Sequence, residues 1–231
     1  MALMGKAVLA IWHGIAEEAE ADFIAWHCRE HMQERVGIPG FLRGKRYVVV
    51  DGYPKFFNFY ETETVEVLSS RVYRDRLNDP TPWTRRVVSQ FIDNSRTICS
   101  TRVTRGSGEG GFIETLRFAA KTDADAVVES FSGTLVPAVL AAPGIVAVHL
   151  LQGHPEESQY VSAEKSMRSQ PDRIADWSLL VEAIDADSLT ALRTGVLSDA
   201  VLDAICDTGT LDRGIYRFQY GLSKAEFAKG T

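Results

Sequence analysis

Arg105-Gly-Ser-Gly-Glu-Gly-Gly111 constrains this chain more than any other stretch, because four of its last six residues are glycine. Such a composition behaves as a flexible connector. It lies near the middle of 231 residues, so the chain reads as a unit over 1–105, a linker over 106–111 and a second unit over 112–231. In the first unit the apolar pattern predicts a strand over 6–13, a long helix over 17–36, and strands over 42–51 and 56–62 joined at Gly52-Tyr53-Pro54. A second helix over 66–77 is ended by Asn78-Asp79-Pro80, and a short helix follows behind the Thr81-Pro82 cap. A strand over 96–104 closes the unit.

The second unit repeats this order with little shared sequence: strand 112–119, helix 125–140, strands 145–152 and 178–183, helical residues 188–207, strand 214–220. Pro39-Gly40 and Pro143-Gly144 stand 104 positions apart, whereas Tyr60-Glu61 and Val181-Glu182 stand 121 apart. The 17 additional residues therefore belong to the connection between the second and third strands of the second unit, and 154–175 is polar and proline-containing, as a surface insertion should be. Each β-α-β-β-α-β half matches the ferredoxin-like unit, two helices on one face of an antiparallel sheet. Runs such as Tyr47-Val-Val-Val50 place apolar side chains on both faces of a strand, so the second face needs cover too. The expected fold is α+β: two tandem ferredoxin-like units whose sheets face each other within one chain.

Composition narrows the function classes. Hydrophobic residues make up 45% of the chain and aromatic ones 10%, enough for a full core, while a net charge of −6 without any basic run argues against a nucleic-acid partner. Cys28, Cys99 and Cys206 are odd in number and widely spaced, which fits a reducing, cytoplasmic setting rather than a disulfide framework. The opening residues carry no secretory pattern. Residues 130–155 lack Asp, Glu, Lys and Arg, but Pro137, Pro143, Gly144 and Gly153 break them, so a helix end, a turn and a buried strand are expected instead of a membrane span.

The chemistry concentrates on the first helix. At helical spacing Phe23, Ile24, His27, Cys28 and His31 share one side, which puts two imidazoles on the stripe facing the sheet. Three readings stay open for the pair: hydrogen-bonded packing, general acid or base work, and metal ligation at i, i+4 spacing. For the last, no H-E-x-x-H pattern and no third ligand can be assigned.

Trp26-His-Cys-Arg-Glu-His31, followed by Val36-Gly-Ile-Pro-Gly-Phe-Leu-Arg-Gly-Lys-Arg-Tyr47, resembles the first helix and second strand of EthD-like dimeric α/β-barrel proteins. Pro80-Thr-Pro-Trp-Thr-Arg-Arg86 and Ser95-Arg-Thr97 extend the resemblance, which covers 6–104; beyond Phe112 only the element order and Pro143-Gly144 persist. The resemblance implies a ligand cleft between helices and sheet, with His31 in the functional role, Glu30 beside it and Trp26 as a wall. It does not supply one reaction, since relatives include cofactor-independent monooxygenases, isomerases and haem enzymes. Haem relatives carry the iron-ligating histidine on the second helix, and 66–77 contains none. The segment matching Trp26–His31 in the second unit, 130–137, has neither histidine nor acid, so a single site is expected.

Two function classes follow. One is a small cofactor-independent enzyme of proton-transfer or monooxygenase type, acting on an apolar organic molecule, with His31 and Glu30 catalytic and Trp12, Trp26, His27, Tyr47 and Phe59 binding substrate. The other is a non-catalytic small-molecule-binding or assembly protein of the same fold. No metal and no cofactor is assigned, and the chain is expected as a monomeric pseudo-dimer or a homo-oligomer. Arg43, Lys45 and Arg46 read as a solvated strand edge more readily than as an anion receptor, and no dyad is assigned to Glu61 or Glu182.

Overall fold

The structure is a computed structural model that describes residues 3–230; the outermost ends of the two units, residues 1, 2 and 231, lie outside it. The first half contributes β1 (Ala7–Ile15), a helix made of α1 (Glu20–Trp26), a π-turn (His27–His31) and α2 (Met32–Gly37), then β2 (Phe41–Gly52), β3 (Phe56–Thr62), α3 (Arg71–Asn78), α4 (Pro82–Val88) and β4 (Phe91–Gly106). The second half contributes β5 (Phe112–Phe118), α5 (Ala124–Ser130), a second π-turn (Phe131–Leu135), α6 (Val136–Leu140), β6 (Ile145–Gly153), α7 (Pro155–Ser158), β7 (Trp177–Ala183), α8 (Ala186–Arg193), α9 (Asp199–Leu202), β8 (Asp212–Ser223) and α10 (Lys224–Gly230).

The eight strands pair antiparallel into one closed barrel, in the order β1-β3-β2-β8-β5-β7-β6-β4. Each half supplies a four-stranded ferredoxin-like sheet, β4-β1-β3-β2 or β8-β5-β7-β6, and the seams β2–β8 and β4–β6 join them. Closure leaves no free edge. It also explains the unbroken apolar runs: every residue of β3 and of β7 is buried, one face inside the barrel and the other under helices. Trp12, Tyr47, Phe57, Phe59, Ile113, Leu180 and Tyr216 fill the interior. Outside it, Phe23, Trp26, Phe56 and Phe91 pack beneath the first helix, and Phe118, Val127, Phe131 and Leu179 beneath its counterpart.

Local chemistry sets the helix ends. Thr81 accepts from the Thr84 amide at 3.0 Å and Pro82 opens α4, as the sequence predicts. The helix expected over 66–77 is broken: a 3-10 turn (Val65–Ser69) ends at Ser70, whose extended backbone and side chain, accepting from the Tyr73 amide at 3.3 Å, start α3 afresh. The helical run expected over 188–207 likewise splits into α8 and α9.

The 130–155 stretch is core, as expected: Phe131, Leu135, Val136, Val139, Val148 and Leu150 are buried. No helix among the described residues is long and apolar enough to cross a membrane.

The insertion after β6 keeps an ion pair with its own half, Arg173 to Asp212 of β8 at 3.4 Å. It also crosses to the first: the Glu164 amide donates to the Leu77 carbonyl at 3.1 Å, the Ala163 amide to Asn78 Oδ1 at 3.0 Å, and Arg173 and Asn94 pair through their backbones at 2.9 Å. α10 crosses too, and Lys224 Nζ donates to the carbonyls of Val36 and Gly37 at 2.8 Å, capping the end of α2.

Candidate functional site

The first helix seats its imidazoles through the π-turn. One extra residue per turn rotates His27 and His31 together onto the sheet, and π-turns of this kind recur at functional sites. The second π-turn lies 104 positions later, the spacing that also separates Gly40 from Gly144, both with positive φ. The distortion therefore belongs to both halves of the fold. Its contents differ: Phe131 and Leu135 occupy the places of His27 and His31 and pack in hydrocarbon.

His27 and His31 are 2% and 7% exposed, with ring centroids 5.6 Å apart. The His27 Nε2 lies 3.0 Å from the Tyr60 hydroxyl, and Trp26 stacks on His31 at 4.2 Å. Among the described residues the Nδ1 atoms of both rings lack a hydrogen-bond partner. A third imidazole, His13 of β1, joins the group; it stacks on Phe91 at 4.1 Å and touches Phe23. Its Nδ1 lies 2.9 Å from the Gly14 carbonyl, which can only accept, so Nε2 takes a hydrogen bond from the Asn58 amide at 2.9 Å.

Burial holds all three rings neutral. It pushes His13 down to about 3 and drives His27 and His31 well below the ordinary histidine value. Guanidinium groups add to this, chiefly Arg46 at His27, and Arg35 with Arg168 at His31. Arg46 lies over the rings of Phe23 and Tyr220, and Arg35 is held by Glu164 of the insertion at 2.5 Å. The same burial and positive charge make each ring a weaker base than a free imidazole, so what the cations favour is a substrate anion beside the rings, whose negative charge also offsets the cost of protonating one of them. Among the described residues no third His, Cys, Asp or Glu joins the pair in a grouping able to hold a metal ion.

Several expectations need correction. Trp12, Tyr47 and Phe59 lie on the barrel-inner face of the sheet, away from His31, because strand neighbours alternate and Tyr60 takes the helix-facing position. The side chains that do face the imidazoles from the strands are Asn58, Tyr60 and Arg46. Glu30 turns to Thr81 Oγ1 at 2.6 Å, Thr84 Oγ1 at 3.2 Å and the Trp26 indole at 3.2 Å, tying the helix to α4. His31 is 7% exposed and lines none of four cavities of the molecule, and the insertion reaches its neighbour Arg35 through Glu164. Arg43, Lys45 and Arg46, read as a solvated edge, are 7%, 3% and 1% exposed.

His13, Tyr60 and the guanidiniums of Arg35 and Arg168 were not read as site residues. Counting alternation along 56–62 finds Tyr60 and Asn58 once the helix-facing side is known, but nothing in the sequence brings Arg168 across from the other half.

No family model matches the chain, and no curated protein matches it by sequence. The fold has clear neighbours among solved structures, and those named below are distant in sequence. An anthrone oxidase-like protein aligns over 98% of this chain and 97% of its own, with a TM-score of 0.67 at 13% identity. A candidate monooxygenase from Fusobacterium nucleatum subsp. nucleatum aligns over 96% of both chains with a TM-score of 0.60 at 11% identity, and one from Lactobacillus acidophilus over 95% and 97% with 0.58 at 10%. The fold is that of the ferredoxin-like dimeric α/β-barrel proteins, with both halves of the barrel in one chain.

Proposed function

We propose that this chain is a cofactor-independent monooxygenase-type enzyme of the EthD-like kind. It would act on a small apolar organic molecule between the first helix and the sheet, with His31 as the base. The observation that carries this reading is the unequal use of one distortion: the fold fills the second π-turn with Phe131 and Leu135, so packing does not demand imidazoles at His27 and His31. Placing two buried polar rings there costs stability that hydrocarbon would not. Function is the compensating return.

The chemistry follows from the neutral rings and the cations beside them. His31 removes a proton from an activated ring CH2, Arg35, Arg46 and Arg168 stabilise the anion, and the anion gives up electrons to O2. The balance is CH2 plus O2 to C=O plus H2O. The name of the anthrone oxidase-like neighbour makes anthrone the first substrate to try. Admission requires the insertion to lift, since Glu164 and Arg35 latch it over the cleft.

A second reading, a non-catalytic binding or assembly protein, is favoured by one observation: His31 is buried and lines none of the four cavities above. Oxygen uptake with anthrone separates the two. Uptake by the wild-type protein that drops roughly 10²–10⁴-fold in His31→Ala supports the enzyme. Saturable ligand binding with no uptake in either protein supports the binding module.

A further inference from the structure

The barrel has a second polar site at one mouth, on the opposite face of the sheet from His31. Arg43 and Lys45 of β2 point inward there, with side chains 9% and 4% exposed, beside the fully buried Glu61 of β3 and Glu182 of β7. Arg43 pairs with Glu61, its register partner. Glu182 accepts from the His149 ring at 3.3 Å, and His149 is held in turn by Thr104 at 2.9 Å.

The glycine-rich linker is not a slack connector at this point. Its Gly110 amide donates to Glu182 Oε2 at 2.9 Å, and a Cβ on Gly110 would lie 2.4 Å from the Ala183 carbonyl oxygen, so the backbone is pressed into the mouth. That seat delivers the carboxylate of the half-exposed Glu109 onto Arg43 and Lys45, the latter at 3.1 Å.

Two observations mark the mouth as a ligand site rather than a closed ion-pair network. The Tyr47 hydroxyl is buried without a hydrogen-bond partner among the described residues, two positions along β2 from Lys45 and on the same inward face of the barrel. A cavity of about 510 Å³ opens over Arg43, Lys45 and Glu109, bordered by Phe218, Leu222 and Glu226, with Tyr47 outside its lining. Phe218, 43% exposed and packed edge-on to Tyr47 at 5.6 Å, gives an apolar body in the cavity an aromatic surface to rest on.

We propose that this mouth binds a small aromatic carboxylate through Arg43 and Lys45, with Phe218 against its ring, and that Glu109 of the linker occupies the carboxylate position until the ligand displaces it. An incoming carboxylate takes over the two cationic contacts, while the linker carboxylate swings into water. The site is independent of the reading of His31.

Calorimetric titration of the full chain with benzoate tests this. Glu109→Gln should bind benzoate at least tenfold more tightly than the wild type, and Lys45→Met in the Glu109→Gln background should lose that binding. In the wild-type protein, benzoate should speed hydrogen exchange at the Gly110 amide as the linker leaves, a readout that needs no variant to fold. Equal benzoate affinity in wild type and Glu109→Gln overturns the proposal, as does unchanged Gly110 exchange at saturating benzoate. Inorganic phosphate binding as tightly as benzoate overturns the carboxylate assignment.

Discussion

Trp26 stacks on His31 with centroids 4.2 Å apart and planes 35° from parallel, and its indole N–H donates to Thr84 Oγ1 at 3.1 Å. The ring that positions the candidate base is thus itself held by α4. Trp26 lies in the sequence motif, but Thr84 fixes it.

His31→Leu, which copies Leu135 of the other π-turn, should fold and gain about 1 kcal/mol, because it removes a buried ring nitrogen that has no partner. Urea unfolding measures this. A loss of stability larger than about 2 kcal/mol would mean that the imidazole is a packing residue, and the functional reading would lose its main support.

Glu30→Gln should leave turnover within about tenfold of wild type, well short of what losing a proton-transfer group costs. Its carboxylate serves Thr81, Thr84 and Trp26, so the loss appears as roughly 1 kcal/mol of stability. A rate loss of a hundredfold or more, with stability intact, would return Glu30 to the catalytic role.

Stability should fall as the solution becomes acidic, beginning near the ordinary histidine value of 6.5. His13, His27 and His31 all bind protons more weakly in the folded chain, so below that value the unfolded chain holds more of them. Each histidine contributes up to about 1.4 kcal/mol per pH unit, fully stabilising above 6.5 and lost progressively below it. For His13 the window runs down to about 3. Urea titrations at pH 7 and pH 5 should show a slope that His13→Gln makes shallower by one proton; an unchanged slope refutes the buried neutral ring.

Glu164→Gln should cost about 3 kcal/mol, since it leaves the Arg35 guanidinium, 2% exposed, without its main counter-charge. Hydrogen exchange should quicken in 155–175 while the barrel strands stay protected. Faster exchange spread evenly over the chain would show that the insertion is not a separate latch.

Gly44→Ala should destabilise by about 1–3 kcal/mol, because a Cβ there meets the Met32 sulfur at 2.1 Å and the Tyr60 ring at 2.8 Å. The first helix approaches β2 at this residue, so the variant should also disturb the His27–Tyr60 contact, seen as a shifted ring signal in NMR spectra.

The repeated strand and helix order, the Gly40 and Gly144 turns, and the place of the insertion were legible in the sequence. Each leaves a local trace: alternating or 3.6-residue periodicity, a residue that tolerates positive φ, or a mismatch in spacing. His27 and His31 were also legible as a sheet-facing pair, because helix periodicity separates inside from outside.

The face taken by Trp12, Tyr47 and Phe59 was not legible. Closing the barrel buries both sides of every strand, so apolar residues occupy both and their pattern no longer says which side a given ring takes. The tertiary structure alone also brought Arg168 and Glu164 from the second half over the first, and seated Glu109 on Arg43 and Lys45. Those contacts join residues that share no periodicity and no spacing. Barrel closure, a long-range event, decides them.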